Sequence, residues 1–221
     1  MVREEGSVSS HEAGSTRDLI LDVAERRFAE HGFSGVAMRE IAADVGLKNQ
    51  ASLYHHFRNK RALYEAVMER GLDPIVAMVA EAVSAGKTGP DVLDAAVDRL
   101  LDYLAEHPNL PRLIQRGLDD SRYLRTAIPK LLIPLSERSM IWLLETGGPW
   151  TAEDLGYIVV GFYHLIVGYF ANTALVEMAM QADPFTPAAV ARQRRFLKLA
   201  FARVLGVGAD EKPKSESRAL G

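Results

Sequence analysis

The sequence predicts an all-α protein of about nine helices, with an N-terminal three-helix helix-turn-helix domain and a larger helical domain behind it. Three observations predict this. Apolar residues recur at three- and four-residue spacing. No stretch sustains a two-residue alternation. Glycine and proline gather in clusters that cut the pattern into segments. The chain has 221 residues, of which 48% are hydrophobic and 25% charged, which suffices to bury a core without covalent staples. Cysteine is absent, which excludes a disulfide framework, a thiolate metal site and a cysteine nucleophile. A formal net charge of −3 argues against coating nucleic acid by bulk charge and leaves room for a local basic surface. The polar opening has no signal-peptide core, so a cytoplasmic location is expected.

The elements follow in order. Residues 1–14 are expected to form a disordered arm, 15–62 the helix-turn-helix domain, 63–206 a second domain and 207–221 a disordered tail. The first helix runs 16–31: Ser15 with Asp18 makes a capping box, Ile20, Ala24 and Phe28 make the apolar stripe with Leu19 and Val23 beside it, and Gly32 ends it in a left-handed cap. A short helix over 38–45, a turn at Gly46 and a second short helix over 49–56 come next. Asn59 caps a helix to about residue 85, which Pro74 is expected to kink or break, and 86–90 is a loop. Further helices are expected at 91–107, 110–117, 121–145, 151–181 and 188–205. Thr151 with Asp154 repeats the capping box, and Thr186 before Pro187 is an N-cap followed by proline at the first helical position.

Residues 38–57 carry the most information. Ile41, Val45, Leu47, Leu53 and Phe57 are spaced to pack two short helices on each other and on the first helix, the layout of a unit whose second helix enters a DNA major groove. No acidic residue lies between Asp44 and Glu65, while Lys48, Arg58, Lys60 and Arg61 are basic. A surface that meets phosphates has to exclude carboxylates, so this window selects DNA binding over a protein-binding adaptor.

The string Gly32-Phe33, Met38-Arg39-Glu40-Ile41-Ala42-Ala43-Asp44-Val45-Gly46-Leu47 and Ser52-Leu53-Tyr54-His55-His56-Phe57-Arg58-Asn59-Lys60-Arg61-Ala62-Leu63-Tyr64 resembles the TetR family of bacterial transcriptional repressors, over about residues 16–65. The resemblance implies a DNA-binding N-terminal domain and a C-terminal domain that binds a small effector and dimerises through its last two long helices. It puts 50–56 in the recognition helix, with Ser52, Tyr54 and His55 on phosphates or base edges and Lys60 on a phosphate. Gln50 and Leu53 share that segment as DNA contacts, Lys48 and Asn49 lie in or just before it, where they can reach the backbone, and Arg39 stands on the preceding helix. Two features depart from the family pattern. Val36 and Ala37 stand where Ser or Thr is usual, so the helix from Met38 needs another cap; and Gly46 to Tyr54 is one residue longer than the common spacing. A core role for Tyr54 is the alternative to a DNA contact. His55 and His56 are adjacent and therefore face different ways, which argues against a metal site.

The stretch 155–176 is uncharged and apolar enough to raise a membrane span. Glu153, Asp154 and Glu177 flank it, His164, Asn172 and Thr173 interrupt it, and Gly156, Gly161 and Gly168 suit close packing against another helix, so no membrane association is expected. Together with the stripe Val190, Leu197, Phe201, Val204 and Leu205 it suggests a homodimer built from two helices of each subunit. Tyr103, His107, Trp142, Tyr163 and His164 are the candidate lining of the effector pocket that the resemblance implies, with a hydrophobic ligand. Arg112, Arg116, Arg122 and Arg125 offer an anion site or a solvated face. No phosphate-binding glycine loop, zinc helix, paired catalytic carboxylates or nucleophile elbow is present, so no catalytic residue, cofactor or metal is assigned. The expected function is a repressor released from its operator by a small effector; the alternatives are a helical adaptor or a small helical enzyme. Pro74, near the junction of the domains, is where that movement is expected to pivot or be transmitted.

Overall fold

The computed structural model describes residues 15–84, 90–119 and 149–206. Expectations for the arm, most of the 86–90 loop, the helix at 121–145 with Trp142, Arg122 and Arg125, and the tail lie outside the described residues. Among those described there are nine α-helices and no strand: α1 (Thr16–His31), α2 (Met38–Asp44), α3 (Gln50–Tyr54), α4 (Lys60–Ser84), α5 (Pro90–Glu106), α6 (Leu110–Asp119), α7 (Leu155–Ala171), α8 (Thr173–Met180) and α9 (Pro187–Leu205). They divide into two compact units between Glu69 and Arg70, inside α4. The first turns of α4 belong to the first unit because Leu63, Tyr64, Val67 and Met68 are buried there.

In the first unit the caps form as the residue types dictate. The Ser15 hydroxyl accepts from the Asp18 N–H, and the Asp18 carboxylate accepts from the Ser15 N–H. Ala37 has no side-chain acceptor, and the vacancy at the start of α2 is met from the other side: its N–H donates to Glu40 Oε2 at 3.1 Å. The end of α2 is a Schellman turn. Leu47 N–H donates to the Ala42 carbonyl and Gly46 N–H to Ala43, with Gly46 at φ +78°. Ile20, Ala24, Phe28, Ile41, Leu53, Phe57 and Tyr64 are buried together with Val36 and Met38. Leu19 is exposed, and Val45 and Leu47 are half-buried rather than core.

In the second unit α9 packs on α5, and α7 packs on α6 and α5. Phe162 stacks on Phe201 at 3.9 Å, and the Trp150 indole N–H donates to the Val204 carbonyl. A row of carboxylates on α5 meets a row of cations on α9: Arg194 bonds Asp98 and Asp102, and Lys198 bonds Asp98 at 2.8 Å and lies 3.6 Å from Asp94. α4 continues through Pro74 without interruption. Tyr103 donates its hydroxyl to the Gly71 carbonyl.

The single helix expected over 151–181 is instead a 3-10 turn (Ala152–Asp154), α7 and α8. The break falls at Asn172, whose amide Nδ2 donates to the Gly168 carbonyl at 2.8 Å while its backbone leaves the helical region at φ −103° and ψ 52°. A short polar side chain that bonds its own backbone competes with the helix ladder.

Gly35 closes the α1–α2 loop over the end of α1, where a β-carbon would sit 2.3 Å from the His31 carbonyl oxygen. Gly35→Ala is expected to lower stability by about 1–3 kcal/mol, because backbone rather than a side chain has to move. Gly46→Ala meets nothing within 4 Å and should cost only its left-handed conformation, about 1 kcal/mol. Urea denaturation of the two variants checks the order.

Candidate nucleic-acid interface

α3 has five residues, too few to hold itself by hydrogen bonding alone. Its start is fixed by Asn49, whose Oδ1 accepts from the Ser52 N–H at 3.0 Å and from the Ser52 hydroxyl at 3.2 Å. Its inner face is fixed by Leu53, 0% exposed. On the outer face Gln50 Nε2 donates to the Tyr54 hydroxyl at 3.1 Å, and Tyr54 is 45% exposed. Lys48, Asn49, His55, His56 and Arg58 are exposed, Gln50 and Ser52 half-buried, and Arg39 of α2 is exposed. Leu53 is therefore corrected from a contact residue to the anchor of the helix: with no surface of its own it cannot reach a base. Tyr54 is outside the core.

The charges around α3 are sorted. Asp44, the last acid before the acid-free window, accepts from Arg27 Nε at 2.7 Å and lies 3.8 Å from Arg26. The hydrogen bond from Arg27, more than Coulomb attraction, holds the Asp44 carboxyl below the usual carboxylate range. The cations that follow α3 lie against aromatic rings. Lys60 Nζ sits 4.6 Å from the Phe33 ring centroid and the Arg61 guanidinium 4.0 Å from it. Phe33 is in turn braced by Phe28, at 6.3 Å, and by Tyr64 edge-to-face at 5.2 Å. Burial, and then the neighbouring Arg61, push the Lys60 ammonium pKa down, against a smaller pull from Glu40. Arg17 lies over Phe57 at 4.9 Å. Asn59 Oδ1 accepts from the Ala62 N–H at 2.8 Å and starts α4 at Lys60. Arg58, Arg61 and Phe33 join the site; the first two were visible in the acid-free window, whereas the ring contacts have no local sequence signal.

The expected effector residues divide. Tyr103 and His107 meet at 4.4 Å between ring centroids. Tyr163 is half-buried. His164 is exposed, and its Nδ1 lies 2.8 Å from the Val160 carbonyl of its own helix, which removes it from an interior lining. Tyr169 was not anticipated. It is 8% exposed, and its hydroxyl is the buried side-chain polar atom that meets no hydrogen-bond partner among the described residues. Burial and the nearby Asp183 push its phenol pKa up, so it stays a neutral donor.

Residues 20–67 match the model for bacterial regulatory proteins of the tetR family. The chain is 33% identical over 107 residues to the HTH-type transcriptional repressor SCO4008 of Streptomyces coelicolor, covering 48% of this chain and 52% of that protein. It spans about half the length of this curated relative. Among solved structures, a TetR-like transcriptional regulator from Rhodococcus sp. RHA1 superposes with a TM-score of 0.65 at 18% identity, over 89% of this chain and 100% of that one. The putative transcriptional regulator SCO4942 from Streptomyces coelicolor superposes with a TM-score of 0.57 at 27% identity, over 86% and 97%. The fold, with an N-terminal helix-turn-helix and a C-terminal helical domain, is the one these structures share.

Leu53→Ala separates the anchor from the outer face. It should cost about 2–5 kcal/mol of stability, the usual range for a fully buried leucine. Tyr54→Ala on the opposite side should change the thermal midpoint little. Equal midpoints for the two variants in parallel melts would contradict the assignment of faces.

Proposed function

We propose that this chain, which belongs through residues 20–67 to the tetR family of bacterial regulatory proteins, is a dimeric transcriptional repressor whose α3 lies in a DNA major groove and which leaves its operator when a small effector binds. One observation carries the reading: the acid-free window folds into a capped, anchored helix with its polar side outward, Tyr54 and Lys48 among the exposed residues. Tyr54, Gln50 and His55 are the candidates for base edges. Lys48, Arg39, Asn49, Ser52 and Lys60 serve the backbone, which fixes register without reading sequence. The start of α4 adds its own free N–H groups to the Lys60 charge.

The homodimer rests on apolar surface left uncovered in the second unit. Tyr157 is 81% exposed, and Val160 of α7, Leu175 and Met178 of α8, and Phe196 and Leu199 of α9 are exposed as well. Gly156 and Gly161 have open space where a β-carbon would stand. The stripe Val190, Leu197, Phe201 and Leu205 is used within the unit itself, against its own interior. The partner surface is thus the opposite side of α9 together with the outer side of α7. A patch of this kind on a water-soluble chain marks an interface. Residues 152–171, the 3-10 turn and α7 together, are the one helical stretch long and apolar enough to cross a membrane among the described residues; exposed apolar residues on α8 and α9 as well as on α7 favour a partner subunit over lipid.

The effector reading rests on Tyr103, His107 and Tyr169. A buried hydroxyl with no partner costs about 1–3 kcal/mol, which a ligand atom would recover. The effector is a mostly apolar molecule with an uncharged hydrogen-bond acceptor, since Asp183 disfavours an anion beside Tyr169. It releases DNA only as far as it prefers the state in which the two α3 helices no longer fit successive grooves, about 34 Å apart. α4 contains residues of both units, so a displacement in the second is passed to the first along one helix. The protein acts in the cytoplasm, without metal, cofactor or catalytic residue.

Two experiments test this. Affinity for duplex DNA should fall with salt at a slope of about −0.9 per phosphate met, and Tyr54→Ala should weaken operator binding about tenfold with the melting temperature held; a flat salt response sinks the interface. The protein should also sediment at twice its chain mass of 24.3 kDa, and Tyr157→Asp with Val160→Asp should return it to monomer and weaken DNA binding. A wild-type monomer at micromolar concentration contradicts the dimer.

A further inference from the structure

We propose that Arg17 is a DNA-backbone contact: the first turn of α1 presents it, across the Phe57 ring, to a phosphate beside the end of α3. The inference rests on the DNA-binding reading above and deepens it, since it brings α1 into the interface.

The register of α1 singles Arg17 out. Positions 17, 20, 21, 24 and 28 share one side of a helix, and Ile20, Leu21, Ala24 and Phe28 are buried there. An apolar side chain at 17 would extend that stripe, yet the position holds an exposed arginine. The place does not favour a cation either. Ser15 is the N-cap, so Arg17 stands in the first helical turn, where the free N–H groups disfavour positive charge. Asp18, the acid next to it in the chain, is turned to the cap and accepts from the Ser15 N–H and hydroxyl. Among the described residues no carboxylate pairs with Arg17. Folding alone gains little from a charge here.

The geometry supplies the direction. The Arg17 guanidinium lies 4.9 Å from the Phe57 ring centroid. Phe57 continues the turn of α3: its N–H donates to the Leu53 carbonyl at 3.0 Å, and the residue is 4% exposed. Its chain neighbours His56 and Arg58 are exposed. The guanidinium thus emerges beside the end of α3, at the acid-free window. Arg27, on the same helix, shows the contrast, because Asp44 fixes it and the pair carries no net charge. A ring attracts a cation through the negative face of its quadrupole yet has no charge of its own. It orders Arg17 and leaves the positive charge, and the N–H groups of the guanidinium plane, for an incoming phosphate.

The test is binding of two DNA duplexes of equal length, one all A·T and one G·C-rich, over a salt series. Arg17→Gln and Arg17→Met should each weaken binding about three- to tenfold and reduce the salt slope by about 0.9, one phosphate's worth, on both duplexes. Arg17→Lys keeps the charge and should keep the slope. Melting temperatures should stay at the wild-type value, because the side chain is exposed. If Arg17 merely covers Phe57 with its stem, the two neutral variants leave the slope intact, whether or not they lower the melting temperature; that result overturns the proposal while the DNA reading stands. A loss confined to the A·T duplex places the arginine in a minor groove and overturns the phosphate assignment. A wild-type protein that ignores both duplexes removes the DNA reading as well.

Discussion

The burial of Leu53 is the constraint on which the rest of the interface depends. A helix of five residues has one internal turn and cannot pay its own nucleation cost. Leu53 gives it an inside, Asn49 gives it a start, and the Schellman turn at Gly46 sets the angle at which the chain arrives from α2. Everything exposed on α3 owes its direction to these three devices. Tyr54 follows Leu53 directly in the chain and so points away from the core that Leu53 enters. The same step of about 100° per residue places Gln50 one turn back beside Tyr54, which is why their side chains meet.

Charge is arranged by the same economy. With a net charge of −3, positive potential can exist only where carboxylates are absent or already engaged. In the second unit Arg194 and Lys198 are matched by Asp94, Asp98 and Asp102, which joins α9 to α5 and removes their charge from the surroundings. In the first unit Asp44 is matched by Arg27 and Arg26, so the acid at the edge of the window is neutralised. The window from 45 to 64 holds Lys48, Arg58, Lys60 and Arg61 and no acidic residue. Exposed pairs such as Arg27 with Asp44 add little stability; their effect here is on where the field is felt.

Much of this was legible in the sequence, because it follows from local rules. The bounds of α1, the Ser15 and Asn59 caps, the turn at Gly46 and the N-cap and proline that open α9 are set by residues within one turn of each other. The departure at Val36 and Ala37 was legible as a missing cap, though not its remedy in Glu40. What failed depends on which side of a helix meets which neighbour. Leu53 was assigned to DNA with its segment, although a recognition helix must turn one residue inward to be held. The apolar run at 155–176 concealed the break at Asn172, because hydropathy is blind to an amide that bonds its own backbone. His164 looked like pocket lining for its chemistry, and its register on α7 turns it outward. The contacts of Phe33 with Lys60 and Arg61 join residues 27 and more positions apart, beyond any local pattern.

α7 is where the proposed effector and the proposed dimer meet physically. Its inward side carries Ile166, Tyr169 and Phe170, and its outward side carries Tyr157, Val160 and Gly161. Both sides belong to one rigid rod of 17 residues, joined to α8 by the non-helical Asn172. A ligand atom that pairs the Tyr169 hydroxyl acts on the end of the rod beside that joint. Because the exposed face lies on the same rod and continues onto α8, any tilt about Asn172 alters the angle between the two parts of the apolar surface. A dimer that closes over this surface would then sense the ligand as a change in fit. The coupling needs no chain of contacts between distant sites, since the inner hydroxyl and the outer face share one backbone. Its size is bounded by the difference in affinity for the two arrangements, whatever the total strength of binding.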